Sequence, residues 1–162
     1  MNTTTASDRA QALAEQFERV NADAIAAVEA RDEAAGATTR TAEGWPLFFA
    51  ARHIAEGHGA VMGLVATVAA GGEPPAVTGA MLDAINAESL ARHGGTGRAE
   101  ALALLREHGA ATAAAIRRLS EEQLDRTATM ELFGGNPITV QQLIEAVLIG
   151  HAQVHLASFR AA

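Results

Sequence analysis

A chain of 162 residues, 49% apolar and 19% charged, is long enough to bury one proper core, and a single domain over residues 1–162 is the expectation. Its net charge of −7, with Arg117-Arg118 as the only basic doublet, argues against nucleic-acid binding, which calls for a basic face. The absence of cysteine excludes disulfides, thiolate-ligated metals and a cysteine nucleophile.

Abundant Ala, Leu, Glu and Arg favour an all-α chain. The first residues, MNTTTASDRAQ, have neither the basic nor the apolar region of a signal peptide. No apolar run reaches the roughly 18 residues that cross a bilayer. A cytoplasmic protein with no membrane partner is the reading. Helix 1 is expected from about Ser7 to Ala35, because Leu13, Phe17, Val20, Ala24 and Val28 recur at the helical period. Ser7 and Asp8 supply a start signal and Gly36 a stop. Residues 36–44, rich in Gly, Thr and Ala, read as a loop.

Helix 2 opens at Trp45-Pro46, with the proline in its first turn, and runs to about Ala70, where Gly71-Gly72 and Pro74-Pro75 end it. It is apolar nearly all round, as suits a helix with several neighbours. Gly57, Gly59 and Gly63 each weaken it by about 1 kcal/mol relative to alanine, which points to close helix approach or room for a ligand. A short helix is expected around Gly79–Arg92, followed by a glycine-rich loop, His93-Gly94-Gly95-Thr96-Gly97. Helix 3 spans about Arg98–Leu119, with Leu102, Leu105, Thr112, Ile116 and Leu119 on one stripe. Ser120-Glu121-Glu122 closes it or starts a further turn, and Met130–Phe133 is short enough to be extended. Gly134-Gly135-Asn136-Pro137 is a turn by composition. Helix 4 then begins with a capping box, Thr139 with Gln142, and a staple between Ile138 and Leu143, and runs to about Arg160. Four long amphipathic helices with one short extra helix read as a four-helix bundle.

On helix 4, Ile144, Leu148, His151, His155 and Phe159 share a stripe, since residues four apart lie on one face. On helix 2, His53 lies with Phe49, Gly57, Ala60 and Leu64 on a second inward stripe. A buried imidazole without a partner costs about 1–3 kcal/mol. Three on inward faces therefore suggest a shared purpose: a metal site, hydrogen-bonded core histidines, or a proton relay. Three imidazoles match the ligand count of an open catalytic metal site and suit Zn, Ni or Fe. Such binding should fail below roughly pH 6, as free imidazole titrates near 6.5. Glu56, one turn after His53, is the candidate catalytic residue, as the imidazole's acceptor or as a base; the alternative is a solvated carboxylate. His58 lies about 140° round the helix from His53, away from the site. A fourth ligand from Glu56 or His58 would instead indicate a structural ion. His93 and His108 read as surface or loop residues, Trp45 as a core anchor more than a pocket wall, and Arg52 as a snorkelling surface side chain, the alternative being a contact for an acidic substrate.

Trp45-Pro46 with His53 seven residues after the proline, and the run from Gly134 to Leu143 followed by His151-Ala152-Gln153-Val154-His155, resemble the DinB/YfiT-like superfamily of metalloenzymes. That superfamily includes the mycothiol-dependent maleylpyruvate isomerase type. The resemblance implies a four-helix bundle, frequently dimeric, whose divalent transition metal is held by His53, His151 and His155. It also implies thiol S-transferase or isomerase chemistry using a low-molecular-weight thiol such as mycothiol, bacillithiol or glutathione. The isomerase branch commonly carries glutamate where this chain has His151. Metal-dependent hydrolysis at the same site, or a non-catalytic metal- or ligand-binding bundle, are the alternatives. A small-molecule substrate is expected in every enzymatic reading, and the alanine-rich helix surfaces leave room for a homodimer.

Overall fold

The computed structural model describes residues 7–162, and the reading of a leaderless N-terminus rests partly on residues 1–6, outside the described residues. Helix α1 covers Asp8–Glu29, and Ser7 caps it by accepting from the Ala10 amide at 3.0 Å. Its stripe of Leu13, Phe17, Val20, Ala24 and Val28 is buried throughout. The helix does not continue to Ala35. Asp32 accepts the Ala35 amide at 2.8 Å and starts a separate helix, α2, Glu33–Thr38, inside what reads as a loop. Gly36 is not a stop but a seat: a Cβ there would lie 2.2 Å from the Phe48 ring.

Helix α3 spans Leu47–Ala69 with Pro46 at its cap, and buries Leu47, Phe48, Phe49, Ile54 and Val65 among others. Its far end is closed by Arg126, which donates to the Ala69 carbonyl. Helix α4, Gly79–His93, is capped by Thr78 and buries none of its residues. Helix α5, Arg98–Arg117, buries Leu102, Leu105, Thr112 and Ile116, the stripe expected of it. The short α6, Glu121–Asp125, carries a capping box between Ser120 and Gln123.

Strands β1, Thr127–Thr129, and β2, Pro137–Thr139, form an antiparallel hairpin pairing Ala128 with Ile138. Met130–Phe133 is not extended: Glu131–Phe133 makes a 3₁₀ turn, and Gly134 and Gly135, with φ of 66° and 72°, reverse the chain where a side chain would strain. The last rod begins at the expected capping box of Thr139 and Gln142, with α7 over Val140–Gln142. A π-helical stretch, Leu143–Ile149, follows, and then α8, Gly150–Ala161. The wider π turn puts residues five apart in register, so Leu143 with Leu148 and Ile144 with Ile149 all face the core.

Four rods form the bundle, as expected of an all-α chain. Helix α1 packs on α5 and on the C-terminal rod, and α3 packs on the same two neighbours. The first two long helices of the sequence therefore stand mainly diagonal to each other, and α3 lies beside the rod that carries His151 and His155. No helix among the described residues is long and apolar enough to cross a membrane.

Candidate metal centre

His53 on α3 and His151 and His155 on α8 converge. Their nearest ring nitrogens all lie within 4.8 Å of one another, and the ring centroids are 4.6–4.8 Å apart. The Nε2 atoms of His53 and His151 stand 2.9 Å apart. Two bare lone pairs repel at that distance, so either a proton or a cation must lie between them. Burial pushes His53 down to about 4 and His151 to about 3, each lowered further by the neighbouring imidazoles. Burial also lowers His155, against the pull of Glu43. Near neutral pH the set is therefore a cluster of uncharged donors, the form a metal requires.

The donor set fits a divalent ion. Ligands at about 2.1 Å on opposite sides of an ion stand about 4.2 Å apart. The ligand atoms lie within 4.8 Å of one another, so the widest pair would draw in by about 0.6 Å around an ion. Neither Glu56 nor His58 joins the group, which among the described residues is three histidines. An ion held by these three histidines would keep positions for water or substrate.

Local structure explains why the rings meet. A Cβ on Gly57 would sit 2.5 Å from Cε1 and 2.8 Å from Nδ1 of His151, so the imidazole lies against bare α3 backbone. Gly59 and Gly63, by contrast, have no close neighbour at that position. Trp45 is not merely an anchor. Its ring stacks on His155 at 5.4 Å and 20°, and meets His53 edge-on at 4.8 Å, so it forms one wall of the site.

Sequence reasoning missed Glu43. Its Oε1 accepts from His155 Nδ1 at 3.2 Å, and its Oε2 accepts from Ser158 Oγ at 2.5 Å. Burial alone would raise this carboxyl. The Ser158 bond, the Thr41 hydroxyl close by, its own backbone amide and the His155 imidazole together hold it at about 2.

Glu56 does not orient His53. Its oxygens accept from Arg52 Nε at 2.7 Å and Ser89 Oγ at 3.2 Å, and Ser89 comes from α4. Arg52 is no snorkelling side chain either; it is largely buried and bridges Glu56 to Glu100. His58 lies apart, as expected, but fully buried. Its Nε2 faces Asn21 Oδ1 at 3.0 Å, and its ring meets Phe17 edge-on. On the inward stripe of α3, Ala60 proves exposed and outside the site. His108 is half-buried on α5, its Nδ1 bonded to the Ala55 carbonyl at 2.8 Å, and His93 is the half-buried last residue of α4.

A helical bundle with three converging imidazoles offers a donor set that could hold a divalent ion. Residues 16–158 match the profile of the DinB superfamily, and the chain belongs to that family. Solved structures share the fold. The mycothiol-dependent maleylpyruvate isomerase aligns with TM-score 0.73 and 15% identity, over 93% of this chain and 60% of that one. YfiT from Bacillus subtilis, described as a probable metal-dependent hydrolase with an unusual four-helix bundle topology, aligns with TM-score 0.73 and 20% identity, over 99% of this chain and 89% of that one. This chain thus spans about three-fifths of the isomerase. No curated protein matches the sequence.

Proposed function

We propose that this protein is a divalent-metal-dependent enzyme whose ion is held by His53, His151 and His155, and which directs a low-molecular-weight thiol against an electrophilic small molecule. The observation that carries this reading is the convergence of three uncharged imidazoles from two neighbouring rods, with no fourth protein ligand among the described residues. An ion in that position acts as a Lewis acid and lowers the pKa of an approaching thiol or water, making it a nucleophile at neutral pH. Zinc, nickel and iron all suit imidazole donors.

The chain's own residues do the rest. Trp45 walls the site against solvent beside His53 and His155. Glu56, one turn beyond His53, is the candidate base; its Oε1 pairs with Arg52 and its Oε2 accepts from Ser89 Oγ. The thiol must come from outside, because the chain contains no cysteine. The fold shared with a mycothiol-dependent isomerase supports mycothiol or a similar thiol as the co-substrate.

Metal-dependent hydrolysis is the second reading. It is favoured by the near full-length fold match to a probable metal-dependent hydrolase, whereas much of the isomerase lies beyond the alignment. One assay separates the two. Metal-loaded protein is incubated with an electrophilic substrate panel, with and without thiol. Turnover that requires the thiol and yields a thioether or an isomer supports the first reading. Turnover without thiol overturns it in favour of hydrolysis.

A further inference from the structure

We propose that Glu43 is the positioning residue of this centre: it holds His155 as the Nδ1–H tautomer, so that the free Nε2 lone pair is directed at His53 and His151. The inference rests on the metal-centre reading for its purpose, but its geometry stands independently.

Glu43 lies in the loop before α3, 112 residues from its partner. An ionised carboxylate can only accept, so the 3.2 Å contact between Glu43 Oε1 and His155 Nδ1 places the proton on Nδ1. Nε2 is then the nitrogen left to donate a lone pair. The carboxylate is itself fixed. Its second oxygen accepts from Ser158 Oγ, and that same Oγ accepts from the Ala42 amide at 3.1 Å. Ser158 stands three residues after His155 on α8, so three hydrogen bonds tie loop to helix at one end of the site. Trp45, two residues after Glu43, stacks on the ring face of His155 at 5.4 Å and 20°. The carboxylate fixes the ring's edge and the indole fixes its plane.

Among the described residues, neither His53 nor His151 has a hydrogen-bonded carboxylate partner. His151 is instead located by the bare backbone at Gly57. Carboxylate partners of this kind commonly change metal affinity by about 10–100-fold when removed.

The test uses full-length protein with ¹⁵N-labelled histidine, stripped of metal, at pH 7.5. Long-range ¹H–¹⁵N spectra report which ring nitrogen of His155 carries the proton. The wild type is expected as the Nδ1–H form. Glu43→Ala should shift His155 toward the Nε2–H form and weaken zinc binding, measured by chelator competition, by about 10–100-fold. Glu43→Gln keeps an acceptor oxygen, so it should retain the tautomer and recover most of the affinity. A His155 tautomer unchanged in Glu43→Ala overturns the proposal, even if the melting temperature falls. If the tautomer shifts but wild-type protein binds no zinc at these histidines, Glu43 keeps its positioning role and the metal-centre reading fails instead.

Discussion

Gly57 offers a perturbation that separates helix stability from site geometry. Replacing glycine by alanine within a helix ordinarily stabilises it by roughly 1 kcal/mol. At Gly63, where a Cβ would meet nothing within 4 Å, Gly63→Ala should show that gain alone, a rise of about 2–4 °C in melting temperature for a chain of this size. At Gly57 the added carbon would stand 2.5 Å from His151 Cε1. Ordinary contact begins near 3.4 Å, so the ring must retreat by about 0.9 Å. Metal–ligand distances tolerate only about 0.2 Å. Gly57→Ala should therefore remove His151 as an effective ligand and weaken zinc binding by at least about tenfold, no less than the mildest loss of an orienting partner. Paired chelator-competition titrations and metal-free melting curves on the two variants provide the assay. If Gly57→Ala binds zinc as wild type does, His151 does not lie against α3 and the described site is wrong.

Acid should destabilise the metal-free protein in a defined window. His53, His58 and His151 have folded-state values near 4, 4 and 3, below the unfolded value of about 6.5, so the unfolded chain binds more protons between those limits. Their stabilising contribution is present above pH 6.5 and is lost as pH falls towards 4. At pH 5 each contributes on the order of 2 kcal/mol of loss, measured by denaturant titration across pH. The same depression means protons compete weakly for the site, so metal should stay bound at pH 5, below the threshold of roughly 6 expected from free imidazole. Asn21→Ala removes the Asn21 oxygen that faces His58 Nε2 at 3.0 Å. His58 Nδ1 already lacks a hydrogen-bonding partner among the described residues, so the variant leaves both ring nitrogens unpaired. It should cost about 1–3 kcal/mol in denaturant titrations while leaving metal content unchanged.

The long helices were legible because burial and period coincide: every member of the α1 stripe from Leu13 to Val28 is buried, and Thr139 caps the last rod as its sequence requires. The break between α1 and α2 was not, since Asp32 competes locally for an amide that the hydrophobic pattern assigns to a continuing helix. The π stretch at Leu143–Ile149 was hidden for a different reason. A change of hydrogen-bond register leaves residue types unaltered, and only the pairing of residues five apart records it. At the site, His53, His151 and His155 could be paired by helical spacing on inward faces. Glu43 could not, because a loop residue has no periodicity and its partner is 112 positions away. Gly57 did carry a readable signal, a glycine one turn after a histidine in an otherwise apolar helix. The sequence pattern grouped it with Gly59 and Gly63, which have no such contact.

The metal content of untagged protein, purified without added metal and measured by elemental analysis, tests the central claim most directly. One transition-metal ion per chain is expected, lost in His53→Ala, His151→Ala and His155→Ala and kept in His93→Ala, whose side chain stands at the end of α4 outside the histidine group. Folded wild-type protein that carries no more metal than those three variants, and takes up none on zinc addition, would contradict it.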